Sequence, residues 1–183
     1  MLVLGIDPGS VTTGWALLRS EGLKVHYVAS GILCFNKETE FLERLSEIKK
    51  KSDELLSQIK PDVIALESLI FVKSPTSLIK LAQTRGIILS AMVEKFEDRI
   101  FEYSPNLVKS SAVGHGHADK ESVRKVLDML LGKQEYKTHD ESDAVAVALC
   151  HIMNSPRNGI AKNTRTKTRA RSGLAAALAH KIG

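Results

Sequence analysis

The sequence predicts one α/β domain with a mixed five-stranded sheet flanked by helices, and three observations carry that prediction. Its 183 residues suit one globular domain better than two. Two short apolar runs, 2–6 and 63–66, have the length and composition of buried strands, and a long amphipathic segment lies between them. A strand–helix–strand crossover makes its two strands parallel, whereas the segments directly after the first run are joined by turns too short for a crossover.

Each element has its own local cause. Residues 2–6 end in Asp7-Pro8-Gly9, a turn signal that closes a buried central strand. Residues 12–19 read as a second strand, and residues 24–35, alternating and rich in β-branched and aromatic side chains after the Glu21-Gly22 turn, as a third. Strands joined so closely form an antiparallel meander. Phe41, Leu42, Leu45, Ile48, Leu55, Leu56 and Ile59 recur at helical spacing, which predicts an amphipathic helix over about 38–59 that Pro61 ends. The run 63–66 closes on Glu67. Ser74-Pro75 supplies a helix cap followed by proline at the first helical position, opening a helix to about Phe96. Its apolar residues, among them Leu78, Ile79, Ile88, Met92 and Val93, cover more than one stripe, which suits either a helix with one face on the sheet and another on a partner subunit or one buried within a single subunit. Gly86 and Met92 are the positions where a charge should block that partner. Residues 100–103 make a fifth strand, and Ser104-Pro105 repeats the cap-then-proline device for a short helix through about Val113. Asp119 caps a helix to Leu131, and Thr138 with Glu141 three residues on forms a capping box for a last helix over 140–153.

Apolar residues make up 43% of the chain and charged residues 26%, ordinary globular usage that argues against wholesale disorder and against a fibrous chain. No apolar run reaches the roughly 18 residues that span a bilayer, and residues 1–5 lead directly into the strand pattern, so a cytoplasmic protein with no membrane contact is expected. Cys34 and Cys150 are too few and too far apart for a disulfide framework or a zinc site, and are expected as reduced core residues. The net charge of +5 is concentrated at one end. From Ser155 onward there are seven basic residues (Arg157, Lys162, Arg165, Lys167, Arg169, Arg171 and Lys181) and no acidic one. Taking those seven from the 26 basic residues of the chain leaves 19 against 21 acidic ones in the body. The chain therefore divides into a domain over 1–154 and a basic, mobile tail over 155–183, whose charge suits phosphate contacts or plain solubility.

The acids carry the chemistry. Asp7 stands at the carboxyl end of the first strand and Glu67 at that of its parallel neighbour, the place where open α/β sheets bind ligands. Two carboxylates side by side repel one another unless they share a proton or hold a cation. Asp140 and Asp143 add an i, i+3 pair on one face of the first turn of the last helix; if that turn packs over the same strand ends, four carboxylates meet. Taken singly, Asp7 is a turn residue and Asp140 complements a helix dipole, so the weight rests on their combination and order. An all-oxygen carboxylate site suits Mg²⁺ or Mn²⁺ rather than zinc. Two such ions, about 4 Å apart, run in-line displacement at phosphorus, and the reaction class is phosphodiester hydrolysis. His139, beside the acidic turn, is a candidate proton shuttle. His115 and His117 flank Gly116 in a loop, and two histidines without further ligands do not make a metal site.

Gly5-Ile6-Asp7-Pro8-Gly9 with Gly14, Ala65-Leu66-Glu67, Arg85-Gly86, Val113-Gly114 ahead of Lys120, and Asp140 to Asp143-Ala144 with Ala146 together resemble the RuvC family of Holliday-junction resolvases across about residues 1–153. The resemblance implies a ribonuclease H-like fold and a homodimeric, Mg²⁺-dependent endonuclease that nicks two opposed strands of four-way junction DNA, working beside the branch-migration proteins RuvA and RuvB. It implies Asp7, Glu67, Asp140 and Asp143 as metal ligands, and Lys73, Arg85, Lys109 and Lys120 as DNA contacts. It also implies that Phe71 stacks on an unpaired junction base, although family members often place the phenylalanine one position earlier, where this chain has Ile70, and an asparagine where it has Ser74. Two other readings compete. Asp7-Pro8-Gly9 with Gly14 matches the phosphate loop of actin-like ATPases, but 183 residues leave no room for the second lobe those enzymes need. A catalytically inactive junction-binding module on the same fold is the other, and the retention of all four acids speaks against it.

Overall fold

A computed structural model describes residues 1–22, 24–69, 74–113 and 120–155. Strands β1 (Leu2–Asp7), β2 (Thr12–Glu21), β3 (Lys24–Cys34), β4 (Val63–Glu67) and β5 (Ile100–Tyr103) form one sheet in the order β3-β2-β1-β4-β5. The first three strands are antiparallel neighbours, while β4 runs parallel to both β1 and β5. The mixed five-stranded sheet expected from the spacing of turns and crossovers is therefore the sheet that forms. Helices α1 (Phe41–Ile59), α2 (Pro75–Phe96), α3 (Pro105–Val113), α4 (Lys120–Leu131) and α5 (His139–Asn154) complete the domain.

Strand alternation sorts the core into two layers. Leu4, Ile6, Leu17, Ile64 and Leu66 face one side, where Ile48 and Leu56 of α1 and Ile88, Met92 and Phe96 of α2 cover them. Val3, Ala16, Leu18 and Ala65 face the other side, against the nearly continuous apolar run 144–150 of α5, with Val108 and Leu127 behind it. Residues 144–150 are all buried, which is why α5 reads as apolar all round rather than as a stripe. No described helix is long and apolar enough to cross a membrane.

Several local expectations are corrected. Helix α1 starts at Phe41, not at residue 38, because the preceding loop is organised otherwise. The Glu38 N–H donates to Asn36 Oδ1 at 3.0 Å, and Arg44 takes the carbonyls of Asn36, Lys37 and Thr39 at 2.8–2.9 Å. Met92 is 1% exposed within the core layer under the sheet, so it is not on a face open to a partner. Gly86 is: a Cβ built there meets nothing within 4 Å, and Ile79 and Val93, 58% and 51% exposed, share its side of α2. Cys150 is buried as expected, but Cys34 ends β3 in an exposed position; both are free thiols. Loop histidines His115 and His117, the cap Asp119 and the tail from residue 156 lie outside the described residues.

Candidate active site

The sheet itself aims the acids. β1 and β4 pair in parallel up to Ile6 opposite Leu66, so Asp7 and Glu67 are the next residues on each strand. Side chains alternate along a strand; Asp7 therefore shares its face with Val3 and Glu67 with Ala65, and that is the face covered by α5. Both strand-end carboxylates thus project toward the helix that carries the other two.

Two glycines let α5 come close enough. A Cβ on Gly5 would stand 2.2 Å from the carbonyl oxygen of Ala144, and one on Gly14 would stand 1.9 Å from that of Asp140. Gly14 is the β2 partner of Asp7 in the antiparallel register, so the first turn of α5 is seated directly beside the first acid. The Thr12 hydroxyl donates to Asp140 Oδ2. Asp7 and Asp140 line one cavity of about 250 Å³ with the intervening turn 8–12. The turn is closed by the Thr13 hydroxyl, which lies 3.2 Å from the Gly9 carbonyl oxygen and 3.3 Å from the Gly9 nitrogen.

The N-terminus of α5 is anchored through Glu141 rather than through the acids that flank it. Thr138 Oγ1 accepts from the Glu141 N–H at 3.3 Å, as a capping box requires, but the Glu141 carboxylate reaches past the cap to the Lys137 N–H at 2.8 Å. Its other oxygen accepts from Ser30 Oγ at 2.6 Å, and Ser30 Oγ is 2.7 Å from the Tyr27 hydroxyl. A 4%-exposed carboxylate with these partners ties α5 to β3 and sets the direction of its first turn. Asp140 in that turn also faces the positive end of the helix dipole.

Asp143 and His139 line a second cavity, of about 280 Å³, together with Ser142 and with Glu121, Val123, Arg124 and Leu127 of α4. The structure thus places Asp7 and Asp140 together, Glu67 at the adjoining strand end, and Asp143 one helical turn along from Asp140 with the exposed His139. Among the described residues, no three His, Cys, Asp or Glu side chains stand close enough together to hold one ion. The backbone brings the acids to one end of the sheet; the described side-chain positions do not gather them around a single point.

The expected DNA contacts fare differently. Lys109 is partly exposed on α3 beside the buried Val108 that seats this helix. Lys120 opens α4, and its side chain, like Phe71 and Lys73, lies outside the described residues. Arg85 does not face solvent: it is 5% exposed, its Nη1 donates to the Glu67 carbonyl oxygen, and its Nη2 lies 2.9 Å from Glu102 Oε1. Its guanidinium is turned into the sheet end rather than toward the surface, where a phosphate contact was expected. Sequence reasoning missed Thr12, Arg44 and the Tyr27–Ser30–Glu141 chain. The available signal was a charged residue, Arg85 or Arg44, inside a helical stretch otherwise predicted to face the core.

A mixed sheet in 3-2-1-4-5 order, with acids at the ends of two parallel neighbours and the closely seated helix α5 carrying two more, defines the ribonuclease H-like class of α/β folds. The family model described as "Crossover junction endodeoxyribonuclease RuvC" matches residues 3–151, and this chain belongs to that family. The protein of that name from Hydrogenovibrio crunogenus is 42% identical over 149 residues, 81% of this chain and 86% of its own length. The one from Citrifermentans bemidjiense is 36% identical over 165 residues, 90% of this chain and all of its own. Among solved structures, RuvC of T. thermophilus in complex with Holliday junction substrate superposes with a TM-score of 0.76 at 29% identity, covering 84% of this chain and 93% of that one. The yeast mitochondrial Holliday junction resolvase Ydc2 shares the fold, with a TM-score of 0.61 at 17% identity over 82% of this chain and 77% of its own.

Proposed function

We infer that the chain is a Holliday-junction-resolving endonuclease, dependent on a divalent cation, that makes paired symmetric nicks in four-way DNA during recombination and repair in the cytoplasm. One observation supports the reading: in a chain of the RuvC family, Asp7 and Glu67 end adjacent parallel strands on the face covered by α5, the helix that carries Asp140 beside Asp7 and Asp143 one turn along. The solved T. thermophilus relative in complex with junction substrate supports the substrate class.

The donor chemistry fits Mg²⁺, with Mn²⁺ as a substitute, because four carboxylates offer hard oxygen ligands. Asp7, Glu67, Asp140 and Asp143 would hold it. When bound, two ions in such a site supply an activated water and neutralise the charge that develops at phosphorus. The residues of the chain do the rest. Thr12 holds one oxygen of Asp140 and so fixes its rotamer. In the hydrolysis the water oxygen bonds to phosphorus, the bond from phosphorus to the leaving deoxyribose oxygen breaks, and one proton passes from the water to that oxygen. His139, on the cavity that Asp143 also lines, carries that proton. Lys73, Lys109 and Lys120 contact phosphates and Phe71 stacks on an unpaired base.

Dimerisation through α2 accounts for the symmetry of the nicks, since a two-fold protein offers equivalent sites to two strands of a junction with approximate two-fold symmetry. Support comes from the open, apolar side of α2 at Ile79, Gly86 and Val93. The branch-migration proteins RuvA and RuvB would deliver the junction.

The deciding experiment incubates wild type, Asp7→Asn and Asp143→Asn with a four-way junction and a matched linear duplex, in Mg²⁺ or in EDTA. Paired nicks in the junction alone, lost in EDTA and in both variants while junction binding survives, are expected. Tight junction binding without nicks under any divalent metal would leave an inactive binding module instead.

A further inference from the structure

We propose that Arg85 is a positioning residue for Glu67, holding the carboxyl end of β4 from inside the protein and thereby setting the cation affinity of the site. This rests on the carboxylate cation site proposed above. Arg85 lies on the inner face of α2, between the fully buried Thr84 and Ile88 on the same side of the helix. A buried guanidinium is strongly unfavourable unless it is paired, and here Nη1 makes a hydrogen bond while Nη2, without one, keeps an ion-pair distance to a carboxylate at the same strand end. Nη1 donates to the carbonyl oxygen of Glu67 itself. Nη2 forms an ion pair with Glu102, whose β5 position is opposite Leu66, the residue before Glu67. Helix α2, the last residue of β4 and strand β5 are joined through one side chain.

The end of β4 needs that support. Parallel pairing between β1 and β4 stops at Ile6 and Leu66, one residue short of both acids. On its side, Asp7 is held by pairing with Gly14. Glu67 lies beyond the end of the β1 pairing; its backbone is held by pairing with Tyr103, by the following Ser68 N–H donating to the Tyr103 carbonyl at 2.8 Å, and by Arg85. The spacing between the two strand-end carboxylates is therefore set from the β5 and α2 side. A planar guanidinium can bond a carbonyl through one nitrogen while another stays beside a carboxylate, whereas a lysine ammonium is a single point charge.

The test compares full-length wild type with Arg85→Lys, Arg85→Met and Glu102→Gln. Mn²⁺ binding is read by electron paramagnetic resonance without DNA, junction affinity is read in EDTA, and nicking is followed against Mg²⁺ concentration. Arg85→Met should weaken Mn²⁺ binding by about 10- to 100-fold, the range for groups that orient metal ligands, and shift the Mg²⁺ requirement for nicking upward in parallel. Arg85→Lys should fall between it and wild type, Glu102→Gln should show a smaller loss, and junction affinity in EDTA should be unchanged in all three. Unaltered Mn²⁺ affinity in the Arg85 variants would overturn the proposal. So would weakened junction binding with Mn²⁺ affinity intact, which would make Arg85 a DNA contact. If Arg85→Met fails to fold, Arg85→Lys and Glu102→Gln decide the matter by the same readouts. Wild type that binds no Mn²⁺ would overturn the cation site itself, a failure visible before any variant is compared.

Discussion

Gly14→Ala perturbs the site without replacing any of its acids. The added Cβ would lie 1.9 Å from the Asp140 carbonyl oxygen, 2.3 Å from the Asp140 carbonyl carbon and 3.0 Å from the Glu141 nitrogen. All three are main-chain atoms of the first turn of α5, so no rotamer change can absorb the clash. Bringing the shortest contact out to 3.0 Å requires that turn to retreat by about 1.1 Å from β2. Asp140 moves with it, away from Asp7 across their shared cavity and away from the Thr12 hydroxyl. A displacement of about 1 Å in a positioned group costs on the order of 10²-fold in rate. Overpacking of this kind costs about 1–3 kcal/mol, which for a chain of this length lowers the melting temperature by about 2–12 °C. The assay is single-turnover nicking of a labelled four-way junction at saturating Mg²⁺, with junction affinity in EDTA and a thermal melt alongside. We expect a rate loss of that order with binding retained. Wild-type rate together with wild-type melting would refute the close seating of α5 on β2.

Three further outcomes follow from the same geometry. Burial holds the His151 imidazole below its ordinary pKa of 6.5, so the folded chain keeps it neutral where the unfolded chain takes up a proton. Its contribution is complete above about pH 6.5 and is lost as pH falls below that value toward the lowered folded pKa. His151→Phe should flatten the fall of melting temperature across that window, and an unchanged slope would refute the assignment. Gly86→Glu should yield a monomer in sedimentation with unaltered melting, because nothing lies within 4 Å of the new Cβ; a persistent dimer would remove α2 from the interface. Truncation after Ser155 removes seven basic residues and should reduce the slope of log affinity against log salt by about 0.9 for each phosphate that the tail neutralises. The same slope in both forms would mean that the tail neutralises none.

Most of the fold was legible because each element carries a separate signal. Pro61, Pro75 and Pro105 sit where helices end or begin, and the run 144–150 announces a helix buried on every side. Asp7 and Glu67 were legible as neighbours for a topological reason: two apolar strands with a long helix between them must run parallel, and an acid ends each one. What could not be read was how far side chains reach. The 38–40 segment looks helical until the loop carbonyls that Arg44 collects are known, and nothing in the local pattern shows them. Arg85 was expected at DNA through the family resemblance alone; its burial and its partners, 18 and 17 positions away at Glu67 and Glu102, are not visible in the local sequence. Met92 and Val93 are adjacent in an apolar stripe too broad to divide by periodicity, yet one is 1% and the other 51% exposed.

The bond between Thr12 and Asp140 joins residues 128 positions apart. During synthesis the first strands and Asp7 leave the ribosome well before α5 exists, at about 5–20 residues per second. The growing polypeptide therefore carries Asp7 and Glu67 before it carries Asp140 and Asp143, and on the proposed reading cleavage competence arrives only when α5 docks. On the proposed reading, a truncated or half-made copy that lacks α5 also lacks Asp140 and Asp143 and cuts no DNA.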